Sequence, residues 1–109
     1  MDRRTAIIAL NDQLRTTFKG GRVQMTPSVY QLDDRLRGRA LSVLARYTRF
    51  HPDSEHDCGT FIFADFSFEW RIEYRAADGT GASPDPTDPE KTLRVLTLYT
   101  IDDMLAHAS

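Results

Sequence analysis

Between residues 51 and 59 the sequence reads His-Pro-Asp-Ser-Glu-His-Asp-Cys-Gly, which sets His51, Asp53, Glu55, His56, Asp57 and Cys58 close together. Imidazole, carboxylate and thiol groups of these kinds bind transition metals, and a thiol beside a base is a nucleophile. The spacing argues against both chemistries. Zinc ligands recur as Cys-x-x-Cys or His-x-x-x-His so that two side chains converge, whereas neighbours on an extended segment point alternately away. A Cys58 nucleophile would take His56 or His107 as its base, with no third group evident to orient the imidazole. The plainer reading is a hydrogen-bonded loop in which His56 or Asp57 caps backbone amides near Gly59. Cys58 is then a small buried hydrophobe opening a strand. No catalytic residue, metal ligand or cofactor is assigned, and a metal-dependent or thiol enzyme built on the 55–58 loop stands as the alternative.

Two further patterns suggest chemistry. Asp57 with Glu69-Trp70-Arg71 echoes the carboxylate pair and cation of metal-dependent nucleases, but arginine cannot serve as the base. Gly20-Gly21 and Gly79-x-Gly81 lack the strand-to-helix setting that aims amides at a phosphate. The sharper pattern is Arg35, Arg39, Arg46 and Arg49, whose spacings of four, seven and three form a narrow stripe on a helix. No acidic residue lies between Leu36 and Phe50 to pair with them, so the ridge needs a neutraliser: phosphate, a partner's acids or the chain's own acidic half. Arginine suits bidentate contact of that kind. The candidate partner-binding residues are these four arginines, Glu55, His56 and Asp57 of the polar loop, and Asp85 and Asp88 of an acidic proline loop.

The elements that must position these groups follow from periodicity. Ile7, Leu10, Leu14 and Phe18 predict a first helix from Arg3 to Lys19, ended by Gly20-Gly21. A short strand over Arg22 to Thr26 leads into a helical turn, with Thr26 as N-cap and Pro27 at the first helical position. Asp33 or Asp34 caps a second long helix whose apolar face, Leu36, Ala40, Val43, Leu44 and Tyr47, runs to about Phe50. Thr60 to Ala64 and Phe68 to Arg75 read as an antiparallel hairpin turning at Asp65 to Ser67. In the latter, Phe68, Trp70, Ile72 and Tyr74 alternate with Glu69, Arg71, Glu73 and Arg75, giving one apolar and one charged face. The stretch from Ala76 to Pro89 is a surface loop rich in Gly and Pro. Leu93 to Ile101 is apolar on both faces, as an interior strand is, and Asp102 and Asp103 can begin a short C-terminal helix. The fold class predicted is α+β: two layers, an antiparallel sheet of about four strands with helices on one face, in the order helix-strand-helix-strand-strand-strand.

At 109 residues with 40% hydrophobic content the chain suits a single domain, residues 1–109. Its net charge of −2 divides unevenly: residues 1–52 carry +6 and residues 53–109 carry −8. One cysteine permits no internal disulfide, and neither a signal peptide nor a membrane span is evident, so the cytoplasm is the expected compartment. The overall negative charge disfavours direct nucleic-acid binding, which remains a further alternative through the arginine ridge. The sequence leaves the oligomeric state open, with Phe66 an exposed aromatic suited to self-association.

Several segments together resemble the bacterial family called domain of unknown function 3768. They are Ile8-Ala9-Leu10-Asn11-Asp12, Gly20-Gly21-Arg22-Val23, Glu55-His56-Asp57-x-Gly59, Phe68-x-Trp70-x-Ile72-x-Tyr74, Asp85-Pro86-x-Asp88-Pro89 and Thr92-x-Arg94-Val95-Leu96-Thr97. Cys58 and Glu69 depart from the pattern, where an aromatic is usual. The resemblance implies no established activity or cofactor, and implies a setting on plasmids and other mobile elements. The expected function is therefore a non-enzymatic interaction protein of a mobile element, such as an anti-CRISPR or anti-restriction inhibitor. Its partner would be a host protein or nucleoprotein complex.

Overall fold

The computed structural model describes residues 2–101, so the helix expected from Asp102 and Asp103 lies outside the described residues. Helix α1 (Arg3–Thr17) starts where the Asp2 carboxylate accepts from Thr5 N at 2.7 Å. It ends before the glycines, because Phe18 itself takes the left-handed capping conformation and donates its N–H to Leu14 O. Gly21 serves another purpose: a Cβ there would lie 2.5 Å from the Arg94 carbonyl oxygen, so only glycine lets this segment approach the sheet. Strand β1 (Arg22–Met25) leads into α2 (Pro27–Tyr30), with Thr26 and Pro27 in the positions expected. Helix α3 (Asp34–Ala45) is capped by the Asp33 carboxylate, which accepts from Leu36 N at 2.9 Å. Strands β2 (Cys58–Phe63), β3 (Phe66–Ala76) and β4 (Thr92–Thr100) complete the described elements.

The sheet runs in the order β1-β4-β3-β2. It is mixed rather than wholly antiparallel: β2–β3 and β3–β4 are antiparallel, but β1 pairs parallel to β4. Antiparallel pairing can follow from a direct return of the chain, as at Ala64-Asp65, where two left-handed residues make the hairpin turn. Strand β1 reaches β4 only through a long connection carrying α2 and α3, which permits the parallel direction.

Register puts Phe68, Trp70, Ile72 and Tyr74 of β3 opposite Thr100, Leu98, Leu96 and Arg94 of β4, on one face. The helices cover that face: Leu14, Val29, Ala40 and Leu44 pack with Phe68, Trp70, Ile72, Leu96 and Leu98 in one cluster. Glu69, Arg71, Glu73 and Arg75 occupy the other face, as their alternation requires. Among the described residues, no helix is long and apolar enough to cross a membrane.

Gly59 lies where β2 passes beneath this core. A Cβ there would meet the Tyr47 ring at 2.5 Å and Trp70 Nε1 at 2.7 Å. Gly59→Ala is therefore expected to cost about 1–3 kcal/mol of unfolding free energy, as overpacking does, measurable by denaturant titration.

Candidate interaction surface

Helix α3 buries Ala40 and Leu44 and leaves Arg35 and Arg39 exposed. It stops at Ala45, short of the expected Phe50. The reason is aromatic packing: Tyr47 meets Trp70 edge-on at 5.4 Å and Phe50 at 5.3 Å, and Phe50 stacks on His56 at 3.7 Å. Docking these rings draws residues 46–50 off the helical path. Arg46 becomes the C-cap residue, its Nε donating to Ser42 O at 3.3 Å, and Arg49 lies beyond the helix. The four arginines thus do not form one helical stripe.

Three of them nevertheless border adjoining recesses. One, of about 320 Å³, is lined by Val43, Arg46, Tyr47, Arg49, Phe61 and Ile62 among others. The next, of about 250 Å³, is lined by Arg39, Ser42, Val43, Arg46 and Phe63. Val43 and Arg46 belong to both, so the two form one groove between α3 and β2. Arg35 borders neither. Among the described residues none of the four arginines makes an ion pair, whereas Arg3, Arg15, Arg37, Arg71 and Arg75 pair with Asp85, Asp12, Asp34, Glu69 and Glu73. The described part of the acidic half leaves the groove's charge uncompensated.

The polar loop divides. Glu55 turns inward, its carboxylate accepting from Tyr74 Oη at 3.0 Å and its carbonyl from Asn11 Nδ2 at 2.9 Å. His56, at φ 57°, sets Nδ1 2.9 Å from Asp12 Oδ1. Asp57 extends the strand ladder, its carbonyl accepting from Ile72 N. Cys58 is exposed, contrary to the buried position expected, because it begins an edge strand on the sheet face away from the helices. Partial burial and the neighbouring Asp57 charge push its thiol pKa up, which suppresses the thiolate. Among the described residues no group of three His, Cys, Asp or Glu side chains is placed to hold a metal ion. Asp85 and Asp88 shape their own loop: Asp85 accepts from the Thr87 amide and hydroxyl, and Asp88 from Glu90 N. The Thr87 hydrogen bonds hold the Asp85 carboxyl below the usual range.

Sequence reasoning missed the centre to which the loop is tied. Asn11 and Arg94 are buried, and Arg94 Nε donates to Asn11 Oδ1 at 2.8 Å. Asn11 Nδ2 also donates to Tyr74 Oη at 2.7 Å, while Arg94 lies 5.1 Å from the Tyr74 ring centroid and donates to the Pro86 carbonyl. The available signal was a polar residue in the apolar stripe: α1 buries Ile7, Asn11, Leu14 and Arg15. Burial pushes the Tyr74 phenol well above the ordinary 10, so the folded state keeps this proton after an unfolded chain would release it. Stability is then intact below about pH 10 and falls as pH climbs above it, because the unfolded state sheds the proton first. Tyr74→Phe should flatten that alkaline decline, as followed by denaturant titration at stepped pH.

Asn11, Asp12, Glu55, His56, Tyr74, Pro86 and Arg94 come from five of the segments that carry the family resemblance, and the fold gathers them at one place. A family model described as protein of unknown function (DUF3768) matches residues 25–103. The chain belongs to this family. The DUF3768 match takes in α2, α3 and β2 to β4, and hence both walls of the groove, while α1 with Asn11 precedes it. Searches of curated proteins and of solved structures returned no match.

Proposed function

We propose that the chain is a non-enzymatic interaction protein that engages a host protein or nucleoprotein complex through charged surface, with Arg39, Arg46 and Arg49 at the contact. The observation that carries this is the groove between α3 and β2: three exposed arginines border it, and no acidic side chain among the described residues neutralises them. An uncompensated cluster of this kind attracts an anionic surface and orients its approach. The family resemblance supplies the setting proposed, a mobile element acting in the bacterial cytoplasm, and counter-defence as an anti-CRISPR or anti-restriction inhibitor is the role that fits it. The His56 imidazole is engaged with Asp12, and the Cys58 thiol pKa is pushed up rather than down, so the thiol-enzyme alternative draws no support from them.

The experiment compares the native chain with the triple variant Arg39→Glu, Arg46→Glu, Arg49→Glu in bacteria carrying an active CRISPR or restriction system. Phage plating should recover with the native chain and fail to recover with the variant, whose association with purified defence complex should drop at least about tenfold. Recovery with the variant, or none with the native chain, would sink the reading.

A further inference from the structure

Strands β1 and β2 form the two edges of the sheet, and they are finished differently. β1 is four residues long and begins at Arg22. β2 is six residues long, Cys-Gly-Thr-Phe-Ile-Phe, with no charge, proline or lysine to deter another strand. Its hairpin pairs Phe63 with Phe66 across a two-residue turn, and the same parity returns where Ile72 N donates to Asp57 O. Residues 57, 59, 61 and 63 therefore spend their backbone groups on β3. Cys58, Thr60 and Ile62 direct theirs outward, since antiparallel ladders alternate in this way. Ile62 is 78% exposed at this edge, and it borders the groove together with Phe61.

We propose that this edge takes an extended acidic segment of the partner protein as a fifth strand. The proposal rests on the interaction reading above and specifies how the arginine groove is filled. Main-chain pairing to Thr60 and Ile62 would supply affinity, and alternate side chains would enter the groove beside Val43, Phe61 and Phe63. Arg39, Arg46 and Arg49 on the α3 side of that groove select carboxylates. A second copy of this chain is a poorer occupant, because pairing two β2 edges would bring both arginine sets together. Single-stranded nucleic acid offers the charge but not the amide and carbonyl row that a free strand edge matches.

Panning a displayed library of random peptides against the folded chain tests this. Enriched peptides should alternate apolar residues with Asp or Glu. Their binding should fall at least about tenfold with Thr60→Pro and with Ile62→Pro, each of which removes an outward N–H that the added strand would use. Circular dichroism verifies that each variant is folded, and two edge variants guard against the failure of one. No enrichment, enrichment without acidic residues, or binding that survives both edge variants overturns the edge proposal. If binding is then lost only with Arg46→Glu and Arg49→Glu, the interaction reading stands while the strand pairing does not. A concentration-dependent dimer abolished by Ile62→Pro, or displacement of peptide by single-stranded DNA, also overturns it.

Discussion

Replacing Asn11 by leucine is expected to lower the unfolding free energy by about 3 kcal/mol, because a charged group would lose its buried hydrogen-bond partner. For a chain of this size that corresponds to a drop in Tm of roughly 15 °C. Leucine keeps the branching of asparagine and is the larger side chain, so the loss cannot come from a cavity. It comes from three partners left at once: Arg94 Nε without its acceptor, and the Glu55 carbonyl and Tyr74 hydroxyl without their donor. Burial already lowers the Arg94 pKa, the sign of a charge held in unfavourable surroundings. Adding Arg94→Met to Asn11→Leu should recover part of the loss, since an apolar pair leaves no orphaned charge. A leucine variant that melts within a few degrees of the native chain would show that the network does not hold the loop to α1.

Trp70→Ala is the second large effect, about 4 kcal/mol by denaturant titration followed by circular dichroism. Trp70 is fully buried at the middle of β3, where Tyr47 and Phe50 pack edge-on against it and the Arg15 guanidinium lies 5.8 Å from its ring centroid. Truncation leaves a void that these rings cannot fill without moving. Trp70→Phe should cost much less, because the indole N–H has no hydrogen-bond partner to lose among the described residues. Tyr47 is also a wall of the groove, so the alanine variant should weaken peptide binding even where it remains folded. Equal costs for the two substitutions would indicate that the void matters little.

The sheet was largely legible in the sequence because alternation encodes facing directly. Phe68 to Arg75 sorts its residues onto two faces without reference to any other segment; Pro27 marks one helix start through its fixed backbone angle, and Asp33 marks the next through a local hydrogen bond to Leu36 N. Strand direction is not encoded that way, so Val23 and Met25 gave no sign that β1 would run parallel to β4. Tyr47 and Phe50 fit a helical stripe as well as they fit docking on Trp70, and only the latter ends α3 at Ala45. Cys58 looked like a core residue because its exposure depends on strand order, a long-range property. The candidate site was half legible: the arginines were visible as uncompensated charge, but the groove required β2 to lie beside α3. Asn11 and Arg94 are 83 positions apart, and nothing local announces such a pair.

The parallel pairing of β1 with β4 also sets the order of events in time. Gln24 reaches Thr97 across 73 positions, so β1 can find its neighbour only after β4 has left the ribosome. The β2–β3 hairpin can form early from adjacent residues, while α1 and β1 wait for the closure of a long loop, the slow and entropically costly step in a chain of high contact order. During that interval the side of β4 later occupied by β1 is itself an open edge, beside the unguarded edge of β2. Nascent chains therefore pass through a stage with two adhesive edges rather than one, and crowded synthesis should favour their misassembly.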